Sequence, residues 1–262
     1  MNRIKKIIRL YENWFAVILE RAGLMKLSQV TLRNGLKFNL LSNGSRPIIG
    51  TTIGDKRYTK YKDVQKGDLV IDVGAYIGDF TVYAGSKGAR VIAIEPTKES
   101  FKKLKENIAL NHLIYVTTPM NVAVGTFRGI SELYIHKWEG INSLINAKKL
   151  SRQSSLTKIE KVETILLEDL LVKYEKIDFL KIDTEGSEAN IILSTPRQLL
   201  KRVKYIAMES TDYLHIGKEN HSINRLLISY LKLCGFELRI EGSTESSTIN
   251  SIMIYATNKI NK

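Results

Sequence analysis

The sequence contains one cysteine, Cys234, and this scarcity excludes an internal disulfide and a metal site built from several cysteines. Cys234 stands in an apolar run, which indicates a packed thiol. Cysteine usage therefore does not point to an oxidising compartment, and we expect a cytoplasmic location. No apolar run approaches the roughly 18 residues that a transmembrane helix needs, so the sequence predicts no such helix.

Acidic residues are also comparatively few. The chain has 40 Lys and Arg residues against 27 Asp and Glu residues, which gives a formal net charge of +13. Such a balance raises nucleic acid or an anionic surface as a partner. The basic residues are spread along lysine-rich helices, however, and solvated helix faces are the ordinary explanation for that pattern. Acidic glycans remain compatible substrates.

The most informative stretch is residues 68–95, DLVIDVGAYIGDFTVYAGSKGARVIAIE. An apolar strand, a glycine turn, a helix and a second apolar strand follow one another, and the second strand ends on Glu95. This order is typical of the nucleotide-binding half of a doubly wound α/β fold. Glu95 follows Gly74 by 21 residues, close to the separation of about 20 expected for an acid that binds ribose hydroxyls.

Two phosphate-binding signatures are missing from this stretch. It does not contain the G-x-G-x-x-G fingerprint of dinucleotide sites, and it has no Walker lysine. Asp72 and Asp79 bring negative charge to the loop, which suits a cationic or zwitterionic ligand better than a pyrophosphate. S-adenosylmethionine, with its sulfonium, amino group and ribose, fits these requirements. The alternative is a strand pair of the same type that binds no ligand.

The chain preceding this stretch is not needed for a cofactor fold. We interpret residues 1–62 as an extension and residues 63–262 as the cofactor-binding domain. Residues 1–26 predict one amphipathic helix, residues 30–41 a hairpin, residues 42–54 a loop and residues 55–61 a further helix. The extension is expected to act as a cap or a dimer contact, and peripheral membrane contact through residues 1–26 is the alternative.

Two later strands deliver acids to the expected ligand edge of the sheet. An apolar strand over residues 177–182 is followed by Asp183, and a strand over residues 203–208 is followed by Glu209. Ligands bind at the carboxyl ends of strands in open α/β sheets. Residues 120–124 predict a third strand, and residues 236–240 and 252–256 predict a final antiparallel pair.

Several motifs then occur together and in order. They are IDVGAYIGDFTVYA, IEP, a helix that ends in ENIALN, NVAVG, ETILLEDLL, IDFLKIDTEGSE and MES. Over residues 31–209 the sequence therefore resembles the FkbM family of methyltransferases. The resemblance implies a class I methyltransferase fold, with a doubly wound, mostly parallel seven-stranded sheet. It also implies S-adenosylmethionine as cofactor and O-methylation of a sugar, glycolipid or other small acceptor. Tyr76 departs from the family pattern, in which Asn is common at this position.

The resemblance also implies roles for individual residues. It places Glu95 on the ribose. Asp183 is expected at the cofactor as well as at the reacting groups because it ends a strand that faces the sulfonium. The residues that the resemblance places around the methionine part of the cofactor are Asp72, Gly74, Ala75, Tyr76 and Gly78. The residues that it places near adenine are Asn121, Val122 and Ala123.

Methyl transfer to a hydroxyl needs a general base or a metal ion, because a sugar hydroxyl has a high pKa. Asp183 is the first candidate, Glu209 ends the neighbouring strand, and His215 lies just beyond. Two mechanisms remain open. In the first, Asp183 and Glu209 hold a Mg²⁺-like ion through oxygen ligands. In the second, Asp183 or His215 acts as a base without a metal ion.

A basic α/β methyltransferase is also a candidate for RNA modification. Enzymes that methylate exocyclic amines of bases carry an Asn/Asp-Pro-Pro-aromatic tetrad after the fourth strand, and this chain has Asp183-Thr184-Glu185-Gly186 there. The absence of this tetrad does not exclude methylation of the ribose, which remains the alternative function.

Overall fold

The centre of the molecule is a seven-stranded sheet in the computed structural model, which describes residues 3–42, 44–136, 144, 156–212, 223–242 and 250–259. The strands of these ranges are β1 (Gln29–Thr31), β2 (Lys37–Asn39), β3 (Leu69–Val73), β4 (Arg90–Ile94), β5 (Thr117–Met120), β6 (Ala123–Gly125), β7 (Gly129–His136), β8 (Leu156–Leu166), β9 (Phe179–Ile182), β10 (Tyr205–Asp212), β11 (Phe236–Glu241) and β12 (Asn250–Asn258). The α-helices are α1 (Arg3–Leu10), α2 (Trp14–Arg21), α3 (Ser45–Ile49), α4 (Asp79–Ser86), α5 (Lys98–Leu110), α6 (Leu167–Leu171), α7 (Glu188–Ser194), α8 (Arg197–Leu200) and α9 (Ile223–Leu233). A π-helical turn, Gly50–Gly54, follows α3. None of the helices in these ranges has the length and apolar character needed to cross a membrane.

The main sheet has the strand order β11-β12-β10-β9-β3-β4-β5. Strands β10, β9, β3, β4 and β5 pair in parallel, whereas β12 runs antiparallel between β10 and β11. Helices α4 and α5 supply one apolar core, and α6 to α9 supply the core on the other face. The predicted α/β fold is confirmed, including the antiparallel pair at the C-terminal end.

The two faces of the sheet bury alternate residues of the same strand. In β3, Ile71 packs into the core beside α7 and α9, and Val70 packs into the core beside α4 and α5. Because side chains alternate across a strand, Asp72 lies on the same face as Val70. The register of β3 and β9 then pairs Asp72 with Lys181, and this pairing places two opposite charges together inside the protein.

The N-terminal segment differs from the single helix predicted for residues 1–26. It forms α1 and α2, which are separated at Tyr11, and Tyr11 makes an isolated antiparallel bridge with Leu32. Tyr11 is buried, and its hydroxyl donates to the carbonyl of Arg46 at 3.0 Å. A tertiary contact therefore interrupts a segment whose local pattern is helical throughout. The predicted hairpin, formed by β1 and β2, is confirmed.

Two other predictions for the extension are wrong. Residues 42–54, predicted as a loop, contain α3 and the π-helical turn. Residues 55–61, predicted as a helix, follow an irregular path of turns. Long-range hydrogen bonds hold that path, since Tyr255 donates to the carbonyl of Arg57 at 2.7 Å and Tyr58 donates to Asp183 at 2.6 Å. Local propensity carries no information about such contacts.

The strand predicted over residues 120–124 is divided between two sheets. β5 ends at Met120 in the main sheet, and β6 begins at Ala123 in a separate sheet with the order β6-β8-β7. Asn121 lies between them, and its side-chain amide donates to the carbonyls of Glu95 and Pro96 at 2.9 and 3.0 Å. These bonds hold the chain at the point where it leaves the main sheet.

The strand that carries Glu209 is longer than predicted. β10 extends to Asp212, so Glu209 lies within the strand and not after it. The parallel partner β9 pairs with β10 only as far as Met208, whereas β12 pairs along its whole length. Glu209 is consequently the first residue beyond the parallel part of the sheet, where the expected ligand edge begins.

Asn107 in α5 and Asn111, the residue that follows α5, join the extension to the rest of the protein. The buried Asn107 amide donates to the carbonyls of Asn39 at 3.1 Å and Ile77 at 2.8 Å, and its oxygen accepts from the Asn39 amide at 2.7 Å. Asn111, one turn later, makes two hydrogen bonds with the backbone of Lys37 at 2.7 and 3.0 Å. Asn107 thus connects the hairpin to the loop that follows β3.

We expect Asn107→Ala to lower the free energy of unfolding by about 2 to 4 kcal/mol, because it leaves several buried backbone groups without partners. The matched variant Asn111→Ala, at the more exposed end of the same contact, should cost about 1 kcal/mol. Equilibrium unfolding in urea measures both. Equal losses would contradict the assignment of Asn107 as the main anchor.

Candidate functional site

A cavity of about 380 Å³ lies where the parallel strands of the main sheet end. It is lined by residues that follow or end β3, β4, β9 and the parallel part of β10, by residues of the extension, and by residues of the small sheet. The polar and charged side chains in its lining are Thr51, Thr52, Arg57, Tyr58, Tyr76, Asp79, Glu95, Thr97, Ser100, Lys181, Asp183, Thr184, Glu185 and Glu209.

The turn after β3 requires glycine at its first position. Gly74 has a φ of +78°, and a Cβ there would lie 1.7 Å from the carbonyl oxygen of Asp183. The amides of Gly74 and Ala75 both donate to the carbonyl of Ile94 at 2.9 Å. The close approach of the β3 and β9 loops therefore excludes any side chain at Gly74.

Tyr76 connects this turn to both the cavity and the extension. Its φ is 51°, an uncommon value for a residue with a side chain. The Tyr76 amide donates to Oε2 of Glu95 at 2.9 Å, and its hydroxyl lies 2.8 Å from Oγ of Ser45 in α3. The departure from the expected Asn thus places a phenol against the extension.

Glu95 presents a buried carboxylate to the cavity. Its Oε2 accepts from the Tyr76 amide, and its Oε1 accepts from the Thr97 amide at 2.9 Å. Burial raises the pKa of Glu95, and the hydrogen bonds from Thr97 and Tyr76 oppose that rise. The side chain of Thr97 also donates to this carboxylate, which lines the cavity within reach of a ligand.

Asp72 and Lys181 form a buried ion pair directly beneath the turn. Nζ of Lys181 lies 3.1 Å from Oδ1 of Asp72, and it donates to the carbonyl of Gly74 at 2.5 Å. Thr81 donates to Oδ2 of Asp72 at 2.6 Å. Burial lowers the pKa of Lys181, but the neighbouring carboxylates, Asp72 foremost, outweigh burial and raise it. Lys181 therefore remains charged.

The end of the cavity next to Asp183 is built jointly by the sheet and the extension. Tyr58 is buried, and its hydroxyl donates to Oδ2 of Asp183 at 2.6 Å. Arg57 forms a salt bridge with Oε2 of Glu209, and Ser251 donates to Oε1 of Glu209 at 3.0 Å. Burial and the charge of Asp183 raise the pKa of Glu209, against the attraction of Arg57.

The cavity unites some of the residues singled out from the sequence and leaves others outside its lining. The predicted residues that line it are Gly74, Tyr76, Glu95, Ala123, Asp183 and Glu209. Those absent from its lining are Asp72, Ala75, Gly78, Asn121 and Val122. His215 lies outside the described residues. The ligand roles of these residues stay predictions.

The sequence analysis did not single out Arg57, Tyr58 and Lys181 as residues of the site. Lys181 was detectable, because a charged residue inside an apolar strand indicates a buried partner. Arg57 and Tyr58 carried no comparable signal, since Tyr58 and Asp183 are 125 residues apart in the chain. Only the folding of the extension onto the sheet brings them to the cavity.

Negative charge predominates in the described lining. It contains five carboxylates, Asp79, Glu95, Asp183, Glu185 and Glu209, and only two cationic side chains, Arg57 and Lys181. Within the described ranges, no group of three or more His, Cys, Asp and Glu side chains is arranged to hold a metal ion. Asp183 and Glu209 are instead held by Tyr58 and Arg57, and this donor set gives no support to the Mg²⁺ mechanism.

Asp79 is a buried acid in the first turn of α4, and it accepts a hydrogen bond from the side chain of Thr52. Burial raises its pKa from 3.8 to about 6, although Lys181 and Thr52 act in the opposite direction. The unfolded chain releases this proton near pH 4, whereas the folded protein retains it to about pH 6. The free energy of unfolding should therefore fall over that interval and stay level above it.

We expect Asp79→Asn to abolish this fall. Relative to the wild type, the variant should gain on the order of 2 to 3 kcal/mol of unfolding free energy between about pH 3.5 and pH 7. Urea unfolding at the two pH values measures the gain, and the surface variant Asp55→Asn controls for the loss of a charge as such. A gain that is the same for both variants would show that Asp79 keeps an ordinary pKa.

Comparison of the sequence with known proteins finds a match to one family model. The methyltransferase FkbM domain model matches residues 72–238. Methyltransferase sdnD of Sordaria araneosa is 25% identical over 170 residues, which cover 54% of this chain and 66% of that protein. The tRNA (guanine(37)-N(1))-methyltransferase of Saccharomyces cerevisiae is 39% identical over 74 residues, which cover 28% of this chain and 15% of that protein.

Among solved structures, the methyltransferase FkbM of Methylobacillus flagellatus KT aligns with a TM-score of 0.48 and 14% identity, over 75% of this chain and 45% of that chain. The matches to four curated relatives span between 15% and 66% of the length of those relatives.

Proposed function

The chain belongs to the methyltransferase FkbM domain family, and from that premise we propose that it transfers the methyl group of S-adenosylmethionine to a hydroxyl of a sugar, glycolipid or other small acceptor. The observation that carries the proposal is that one cavity, at the carboxyl ends of the strands, is lined by both Glu95 and Asp183. Glu95 offers a carboxylate suited to ribose, and Asp183 offers a carboxylate suited to proton transfer. We keep a cytoplasmic location as part of the proposal, in agreement with the buried free thiol of Cys234.

The donor groups of the cavity fit this cofactor. Glu95 offers two carboxylate oxygens that suit two neighbouring ribose hydroxyls. Ala123 and Val124 add apolar surface for a base, and the excess of carboxylates suits a ligand that carries a sulfonium and an ammonium. Asp72 contributes indirectly. It forms an ion pair with Lys181, and Lys181 in turn donates to the carbonyl of Gly74.

Asp183 is the residue that we propose as proton acceptor. When bound, S-adenosylmethionine supplies an electrophilic methyl group on a positively charged sulfur. With the donor bound, the acceptor hydroxyl would form a bond to that methyl group, the electron pair of the broken bond would stay on the sulfur, and the hydroxyl proton would pass to a carboxylate. Oδ2 of Asp183 is held by Tyr58, whereas Oδ1 has no hydrogen-bond partner among the described residues. Both oxygens of Glu209 are engaged, by Arg57 and Ser251.

RNA ribose methylation is the second candidate. The net charge of +13 favours an RNA substrate, and so does the similarity to a tRNA methyltransferase of yeast, whose name gives a guanine nitrogen as the methylated atom. A short RNA with free 2′-hydroxyls, offered beside the sugars described below, tests this function directly.

We expect calorimetric titration with S-adenosylmethionine to show saturable binding at one site, unchanged by EDTA or added Mg²⁺. Glu95→Gln should weaken binding by about 10- to 100-fold, the loss expected when hydrogen bonds to a charged group are removed. The surface variant Glu99→Gln serves as control. Unchanged affinity in Glu95→Gln would remove the ribose assignment, and loss of binding in EDTA would restore the metal mechanism.

For the transfer step, Asp183→Asn should lower the rate constant by about 10²- to 10⁴-fold, the range found for removal of a general base. The assay follows tritium from the labelled methyl donor into acceptor. Glu209→Gln should lower the rate less, since Glu209 is already engaged by Arg57. If Glu209→Gln were the more damaged variant, the base would be Glu209.

A further inference from the structure

We infer that the acceptor reaches the Asp183 end of the cavity as an uncharged polyol, such as a neutral sugar, and that Arg57, Tyr58, Asp183 and Glu209 select it against anionic acceptors. The inference rests on the proposed function, because the same cavity has to hold the methyl donor. It goes further in naming the charge class of the substrate and the residues that discriminate.

The first argument is the charge of the cavity. Its described lining has five carboxylates and two cationic side chains, although the whole chain has a net charge of +13. The described lining therefore does not share the basic excess of the whole chain. A bound S-adenosylmethionine, with two positive groups and one carboxylate, compensates only part of the negative charge. An acceptor that carried a carboxylate or phosphate would enter a region of like charge, which is unfavourable at short distance.

The second argument is that neither cationic side chain is free to bind an anion. Lys181 is held by Asp72 and by the carbonyl of Gly74. Arg57 is held by Glu209. An anionic acceptor would have to displace a carboxylate from one of these partners. Burial and the neighbouring Asp183 raise the pKa of Glu209, in agreement with an environment that disfavours further negative charge.

The third argument is the pattern of donors and acceptors that remain. Asp183 lines the cavity, and its Oδ2 accepts from Tyr58, whereas no described residue donates to its Oδ1. A carboxylate oxygen without a partner favours a ligand that donates a hydrogen bond to it. A hydroxyl group both donates and accepts. A hydroxyl of a sugar can therefore donate to Oδ1 of Asp183, whereas an ionised carboxylate on the acceptor has no proton to donate there.

The test compares matched acceptors in the protein loaded with labelled S-adenosylmethionine. The probes are methyl glycosides of neutral hexoses, the corresponding methyl glycosides of uronic acids, hexose phosphates and a short RNA. Donor binding is first measured by calorimetry for every variant, so that failure of the proposed function, seen as absent donor binding, is distinguished from failure of the acceptor inference. We expect transfer to neutral sugars to exceed transfer to their uronic counterparts by at least about tenfold.

The decisive variant is Glu209→Gln, which removes one negative charge and releases Arg57 to bind an anion. The preference for the neutral over the uronic acceptor should fall by about tenfold in this variant, whatever happens to the absolute rate. Glu237→Gln, a surface change next to Lys259, should leave the preference unchanged. With donor binding intact, equal or better transfer to uronic acids, hexose phosphates or RNA would overturn the inference. It would also be overturned by an unaltered preference in Glu209→Gln or by the absence of transfer to every neutral sugar.

Discussion

The buried ion pair between Asp72 and Lys181 is the interaction on which the site depends. It joins the adjacent strands β3 and β9 at 3.1 Å inside the protein, and Lys181 also binds the Gly74 carbonyl and lies 5.3 Å from the centre of the Tyr58 ring. Burial of two charges is expensive, and loss of either partner would leave the other uncompensated. The pair ties the glycine turn, both strands and the extension into one arrangement.

The extension, residues 1–62, forms part of the cavity wall. Its apolar core includes Ile77, which lies in the loop after β3, and Val82 of α4. Tyr76 reaches Ser45 in one direction, and Tyr58 reaches Asp183 in the other. A segment that a cofactor fold does not require thus completes the cavity wall next to Asp183. This arrangement allows a common fold to change its acceptor through residues outside the shared motifs.

Charge is distributed unequally between the surface and the cavity. The net charge of +13 favours approach of anionic partners, whereas the described lining of the cavity has an excess of carboxylates. Long-range attraction and local recognition are separate physical effects, since exposed charges are screened within about a Debye length and buried charges are screened much less. A basic chain can therefore have a site that prefers cationic or neutral ligands. Net charge alone is a poor guide to the substrate.

The sequence by itself determined the α/β fold, the turn at Gly74 and the acids Glu95 and Asp183, because strand periodicity, glycine positions and strand-end acids are local patterns. It did not determine the break at Tyr11, the irregular path of residues 55–61, or the partners Tyr58–Asp183 and Arg57–Glu209. Those features depend on contacts between residues far apart in the chain, and local propensity yields to such contacts wherever burial and hydrogen bonding favour another path. Only the tertiary structure brings these distant side chains together.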